Sequence, residues 1–289
     1  MRVGFHTDAF NSAAFSFEKC LQWARDNDVH CIECGAIEGV SWIHGLGYFP
    51  HISLVEDPVL LREKMDRYEV SFSQIDAAYP LSGKDGPIFG VPYVLKTIPW
   101  AKLAGCPNIA TTDGLYKPEG LTDDEAMEAM KRSYGMIVDT AEAYGININI
   151  ELHGYFTTNP DMIEKMLDFT KSERLGINFD TGNSFIAGND PVAFCRRVLP
   201  RIRHVHIKDV SKSLADAARG KATGIGISHS AIGDGVNAEN IRQILTLLRD
   251  YGYSGTLSLE CEGQGGPLIE RSLGWLRGTL KALNIVEER

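Results

Sequence analysis

Two imidazoles and an ammonium share one face of the run IRHVHIKD. Side chains alternate along an extended segment, so His204, His206 and Lys208 point one way while Val205, Ile207 and Asp209 point the other. Ordinary core faces are not built like this. Upstream, the run LGINFDTGN places Ile177 and Phe179 opposite Asn178 and Asp180 and ends at Thr181-Gly182, which leaves Asp180 at its carboxyl end. Glu151 sits late in the run ININIELHG and Glu260 late in GTLSLECEG. The carboxyl ends of parallel strands are where such sheets collect their chemistry. Together Glu151, Asp180, His206 and Glu260 offer three oxygens and one nitrogen. That donor set suits a divalent cation such as Mn²⁺ or Mg²⁺ better than a structural zinc, with Co²⁺ or Zn²⁺ as the alternatives.

Other polar side chains stand near the same strand ends. Lys208 lies two residues beyond His206 on the same face and could hold a substrate oxygen or a phosphate, and His153 shares the face of Glu151. His6, Glu33 and Asp76 occupy comparable places on the early strands and could line the mouth. A lone strand carboxylate or histidine is more often a hydrogen-bonded structural group, and that is the default for these three. His204 reads as a packed barrel histidine below the cation. Glu262 shares a face with Glu260 and is read as a solvated loop residue in preference to a partner of Glu260. Arg196, Arg197, Arg201 and Arg203 read as a solvated basic face. Cys31 and Cys34 form a C-x-x-C, but alternation sends them to opposite faces and no second pair completes a metal site, so buried thiols are expected.

The elements that must position these groups alternate. Short β-type runs are followed by longer helical ones about eight times, from RVGFHTDAF and FSFEKCLQWARDND to GTLSLECEG and PLIERSLGWLRGTLKALN. Thr122 or Asp123 should cap the long helix that ends before Gly145, and Asn159-Pro160 should open the next. The helix VPYVLKTIPWAKLAG is interrupted by Pro99 and is expected to split there. Residues from about Ser211 to Gly235 read as a loop rich in Gly, Ser and Ala. Alternation of this kind implies right-handed βαβ units and a parallel sheet, and eight of them in under 300 residues fit a single-domain (β/α)₈ barrel over residues 1–289. An open doubly wound sheet is the alternative. It would carry a glycine-rich phosphate turn after the first strand, and GFHTDAF has none.

Composition narrows the partners. A net charge of −9 and a pI near 5.4 argue against a general affinity for nucleic acid or acidic membrane, both of which need clustered Lys and Arg. No apolar run approaches the ~20 residues of a membrane span, and MRVGFHTDAF has the look of neither an anchor nor a signal peptide. Six scattered cysteines then point to reduced thiols and a cytoplasmic setting. The stretch from residue 35 to 56 carries Trp42, His44, Tyr48, Phe49 and Pro50, an aromatic set placed either to cover a pocket or to meet a second copy in a homo-oligomer.

IELHG, LGINFDTGN, DP, HVHIKD, a GDG ahead of a helix, and YSGTLSLECEG follow one another in an order and at a spacing that resemble the sugar phosphate isomerase/epimerase family, which shares the xylose-isomerase-like TIM barrel. The resemblance is densest over about residues 145 to 285. It implies one divalent metal held by Glu151, Asp180, His206 and Glu260, and a proton shuttled by Glu151 and Glu260 on and off a carbon beside the carbonyl of a small sugar. One position departs: where the family's epimerases and its endonuclease branch often have a His three residues after the strand-end Asp, this chain has Asn183, a departure from the standard ketose 3-epimerase pattern. The expectation is a metal-dependent isomerase or epimerase of a keto-sugar or polyol ketone, in which His6, His153, Asn183 and Lys208 contact substrate. A lyase or dehydratase using the same intermediate is the alternative, and a DNA-repair endonuclease fits the acidic charge poorly.

Overall fold

In the computed structural model, residues 1–11, 15–38, 50–221, 225–263 and 265–289 are described. Trp42, His44, Tyr48 and Phe49 lie outside them. Pro50 is buried, its carbonyl accepting a hydrogen bond from the Thr7 hydroxyl at 2.7 Å. In chain order the elements are β1 (Arg2–His6), α1 (Phe17–Asp26), β2 (Cys31–Ile37), β3 (Ile52–Ser53), α2 (Pro58–Asp66), β4 (Ser71–Pro80), α3 (Val91–Ala104), β5 (Asn108–Thr112), α4 (Asp123–Tyr144), β6 (Asn147–Glu151), α5 (Pro160–Leu167), β7 (Leu175–Asp180), α6 (Thr181–Ile186), α7 (Pro191–Val198), β8 (Ile202–Ile207), α8 (Lys212–Ala218), α9 (Ala238–Tyr251), β9 (Thr256–Leu259) and α10 (Pro267–Ala282).

Eight of these strands form a closed parallel barrel. β1 pairs with both β2 and β9, so the sheet has no free edge apart from β3, a two-residue addition beside the end of β2. Residues on the outer face of the strands, such as Ile148, Ile150, Ile177, Phe179, Val205, Ile207, Leu257 and Leu259, are fully buried beneath the helices. That aliphatic layer is the principal core. Inside the barrel the side chains are polar. Asn149 donates to Gln74 Oε1 at 2.7 Å, Gln74 donates to Glu33 Oε1 at 2.7 Å, and His204 Nδ1 meets Asn178 Oδ1 at 3.0 Å. Branched aliphatic residues usually fill this space. Here it is a hydrogen-bonded plinth beneath the strand ends.

Helix ends largely follow the local signals. Thr122 caps α4 in a reciprocal capping box with Glu125, and Gly145 ends it in the left-handed region at φ 69°. Asn159 caps α5 ahead of Pro160. Pro99 does not split its helix: α3 runs unbroken through it. Ile98, Trp100 and Ala101 on the adjoining turn are buried in the core, and that burial outweighs the ~3 kcal/mol an interior proline costs. Two short helices also depart from expectation. α6 begins where strand β7 stops, because Asp180 Oδ1 accepts the amide hydrogens of Gly182 and Asn183 at 2.7 and 2.8 Å. α8 lies inside the segment read as a loop, capped by Ser211.

Asp209, at the end of HVHIKD, ties that segment to the GDG turn. Its two carboxylate oxygens accept the amides of Val210, Gly233, Gly235 and Asn237 at 2.8 to 3.0 Å. A Cβ at Gly235 would fall 2.3 Å from Asp209 Oδ1, which accounts for that glycine. Replacing Asp209 by Ala leaves several buried donors without an acceptor and should lower unfolding free energy by on the order of 3 kcal/mol. Urea denaturation followed by circular dichroism checks this, and an unchanged midpoint would mean the turn is held by other contacts.

Candidate metal centre

Four adjacent strands converge at one point. Barrel register sets Glu151 beside Asn178, Asp180 beside His206, and His206 beside Ser258, with Glu260 following two residues later. One donor atom from each of Glu151, Asp180, His206 and Glu260 lies within 4.8 Å of the others. His206 Nδ1 stands 3.0 Å from Glu260 Oε2, 3.3 Å from Glu151 Oε1 and 3.8 Å from Asp180 Oδ2. Neighbouring ligands around a small divalent ion with bonds near 2.1 Å are about 3 Å apart, so these separations suit one. Among the described residues, the buried oxygens Asp180 Oδ2 and Glu260 Oε2 accept no hydrogen bond. Buried carboxylate oxygens without donors are costly unless a cation takes them. The donor set and its unsatisfied oxygens therefore fit a divalent metal.

Charge is packed tightly here, and ionisation shifts accordingly. Burial, reinforced by the charge of Glu260, raises Asp180 to about 7. Burial pushes Glu151 the same way, but His153 and His206 outweigh it and bring its carboxyl down to about 2. Glu260 is also held well below its ordinary value, since Lys208 and His206 overcome its burial. Burial would lower His206, yet Glu33, Glu260 and Glu151 together raise it well above its usual range.

Around this centre the other expected residues find definite places. His153 Nδ1 lies 3.4 Å from Glu151 Oε1. His6 stacks edge to face on His206 with ring centroids 5.9 Å apart, and its Nδ1 is 3.2 Å from Asp8 Oδ1. Asn183 is buried on the first turn of α6, and among the described residues no partner reaches its Oδ1. Lys208 reaches the site, with Nζ 2.5 Å from Glu262 Oε1 and 3.4 Å from Glu260 Oε1. Glu262 is therefore no solvated loop residue. It is 4% exposed, its second oxygen accepts the amide of Ser228 at 3.2 Å, and burial raises its carboxyl to about 8. Asp76 stays half-buried midway along β4, four residues short of its end, whereas Glu33 is wholly buried with Oε2 2.8 Å from His206 Nε2 instead of at the mouth. His204 packs in the plinth, its Nε2 3.2 Å from Ser73 Oγ. Asp8, which the strand pattern did not single out, comes within 4.8 Å of Glu260 and Glu262 through its own donor atom. Its signal was adjacency: it follows His6 by two residues on the turn that leaves β1.

A closed parallel barrel whose strand ends gather carboxylates and imidazoles is an enzyme scaffold of the TIM-barrel class. The chain belongs to the xylose isomerase-like TIM barrel family, whose profile matches residues 21–279. It is similar to an inosose dehydratase of Bacillus anthracis (strain CDC 684 / NRRL 3495), at 28% identity over 183 residues, 61% of this chain and 58% of that protein. The chain thus matches less than two thirds of the length of that curated relative. In three dimensions it resembles a D-tagatose 3-epimerase-like protein with a TM-score of 0.77 at 21% identity, covering 98% of each chain. It also resembles the IOLI protein, solved with a binding zinc atom, with a TM-score of 0.73 at 13% identity and 98% of each chain. At these identities the structural likenesses speak for the fold. Among the described residues no helix is long and apolar enough to cross a membrane.

Binding a cation at this centre must expel the protons that His206 and Asp180 hold, because both are raised in the metal-free site. The bound state lacks those protons and the free state carries them, so affinity should rise with pH. Calorimetric titration with Mn²⁺ from about pH 6 to about pH 8 should show tighter binding and accompanying proton release. An affinity independent of pH would contradict the ligand assignment.

Proposed function

We propose that this protein is a divalent-metal-dependent isomerase or epimerase, with Mn²⁺ or Mg²⁺ as the cation, that moves a proton on a carbon next to the carbonyl of a small keto-sugar or polyol ketone. The observation that carries this reading is the convergence of Glu151, Asp180, His206 and Glu260 within 4.8 Å at the carboxyl ends of four adjacent strands. A bound cation supplies Lewis acidity, stabilising the negative charge that grows on the carbonyl oxygen as the proton leaves. Glu151 and Glu260 enter from either side of His206, so one can accept the proton while the other returns it to the opposite face. His153 and His206 keep Glu151 ionised at neutral pH, and Lys208 and His206 do the same for Glu260. Both glutamates can therefore act as bases, and the one that returns a proton to the carbon must first take it from solvent, each group worth about 10²–10⁴-fold when well placed. His6, His153, Asn183 and Lys208 border the same space and are assigned to substrate hydroxyls. The buried, unpartnered Oδ1 of Asn183 is an acceptor suited to one of them.

A second reading, loss of water from an inosose-type ketone, is favoured by the similarity to an inosose dehydratase and by Lys208. Its ammonium stands 3.4 Å from Glu260 and could protonate a departing hydroxyl. Incubation with Mn²⁺ and a panel of ketohexoses and inososes in D₂O, followed by NMR, tests both. An epimer or isomer labelled at the carbon beside the carbonyl supports the first reading, and a dehydrated product selects the second. Glu151→Gln and Glu260→Gln should each slow exchange by about 10²–10⁴-fold. Exchange retained in either variant would remove that glutamate from the acid/base pair.

A further inference from the structure

Glu33 reaches into the barrel from β2, across from the strands that carry the four proposed ligands, and is wholly buried beneath His206. Two uses are open to it. Donor atoms of Glu33, His204 and His206 lie within 4.8 Å of one another, close enough to hold a second cation. Their hydrogen bonds argue against that use. Glu33 Oε1 accepts from Gln74 at 2.7 Å, and Oε2 accepts from Ser258 Oγ at 3.0 Å while facing His206 Nε2 at 2.8 Å. The nitrogens of His204 are taken by Asn178 Oδ1 at 3.0 Å and Ser73 Oγ at 3.2 Å. An ion there would break contacts that already satisfy every donor atom it needs.

We propose instead that Glu33 is the positioning residue of the metal centre: once a cation has displaced the Nδ1 proton, it holds His206 in the tautomer that carries its hydrogen on Nε2 and leaves the Nδ1 lone pair for the cation. This rests on the assignment of Glu151, Asp180, His206 and Glu260 as the metal site. The two ring nitrogens face opposite surroundings. Nε2 meets the Glu33 carboxylate, whereas Nδ1 has the oxygens of Glu260, Glu151 and Asp180 at 3.0, 3.3 and 3.8 Å. Asn178 Nδ2 does not compete. It stands 3.3 Å from Nδ1 and 3.0 Å from Nε2, and a donor nearly equidistant from both nitrogens is aligned with the lone pair of neither.

A relay from the barrel floor fixes the direction of this bond. Asn149 donates to Gln74 Oε1, which leaves the NH₂ of Gln74 facing Glu33. Glu33 Oε1 must therefore be an acceptor. In Glu33→Gln the new amide meets that demand only by turning its carbonyl to Gln74 and its NH₂ towards His206 Nε2. A donor at that place wants the lone pair on Nε2 and drives the ring hydrogen to Nδ1, where it blocks the cation. A nearly isosteric change on the far side of the ring should thus damage metal binding while the barrel stays folded.

The test compares the full chain with Glu33→Gln by Mn²⁺ calorimetry, and examines the ¹¹³Cd²⁺-loaded wild type by ¹⁵N-resolved NMR. The expected results are one ion per chain, affinity reduced about 10–100-fold in the variant with a cooperative thermal melt retained in chelator, and His206 bound through Nδ1 with its hydrogen on Nε2. Variant affinity within about threefold of wild type, coordination through Nε2, or two ions per chain would each overturn the assignment. If Glu33→Gln fails to fold, the cadmium spectrum of the wild type decides alone. A wild type that binds neither Mn²⁺ nor Cd²⁺ refutes the metal site itself, an outcome distinct from the other three.

Discussion

The burial of negative charge governs this structure. Glu33, Glu151, Asp180, Glu260, Glu262 and Asp8 crowd the inside and mouth of one barrel, all within reach of His206 or Lys208 or of residues that touch them. An ion taken out of water costs several kcal/mol unless it is paired and hydrogen-bonded. Most of these carboxylates have an opposite charge of their own: His206 for Glu33, His153 for Glu151, Lys208 for Glu262 and His6 for Asp8. Asp180 is different. Two backbone amides satisfy one of its oxygens, and among the described residues the other accepts no hydrogen bond. Where the four strand ends meet, burial raises Asp180 to about 7 and Glu262 to about 8, so that protons there stand in for a missing positive charge.

The polar barrel interior follows from the same constraint. An aliphatic filling under these carboxylates would strip away the donors that hold them. Asn149, Gln74, Asn178, Ser73 and Ser258 supply polar partners from four strands, so the orientation of a side chain at the mouth is set from the floor upward. Such a network has few alternative arrangements, because reversing one amide leaves its neighbour unsatisfied. The stability of the fold comes from elsewhere, from the aliphatic layer between sheet and helices. The two faces of each strand thus serve different ends, and the period of two in the sequence records both.

That period is why the barrel and the four central residues were legible before any coordinates. Strand ends are local events, and alternation decides the face. Depth and closure are not local. Glu33 and His6 alternate alike on neighbouring strands, yet one lies beneath His206 and the other beside it. Glu262 stands beyond the end of β9, where a solvated loop is the reasonable expectation; its burial comes from Lys208 and from a backbone amide 34 residues away. Pro99 fails as a breaker because the core holds both halves of its helix. Several motif residues that look chemical turn out to be joinery. Gly154 leaves room for Asp113, whose carboxylate accepts the amides of Phe156 and Thr157, and Gly182 leaves room for the stem of Lys208.

Asp180 serves two masters with one carboxyl group: an oxygen for the first turn of α6 and an oxygen for the centre. Its substitution tolerance is correspondingly narrow. Asparagine caps helices well but brings no charge to the centre, and glutamate keeps the charge but sets it one methylene too far out to cap the turn. Neither of the exchanges usually regarded as conservative preserves both duties, so the chemistry of this position and the folding of the helix that follows it must drift together or not at all.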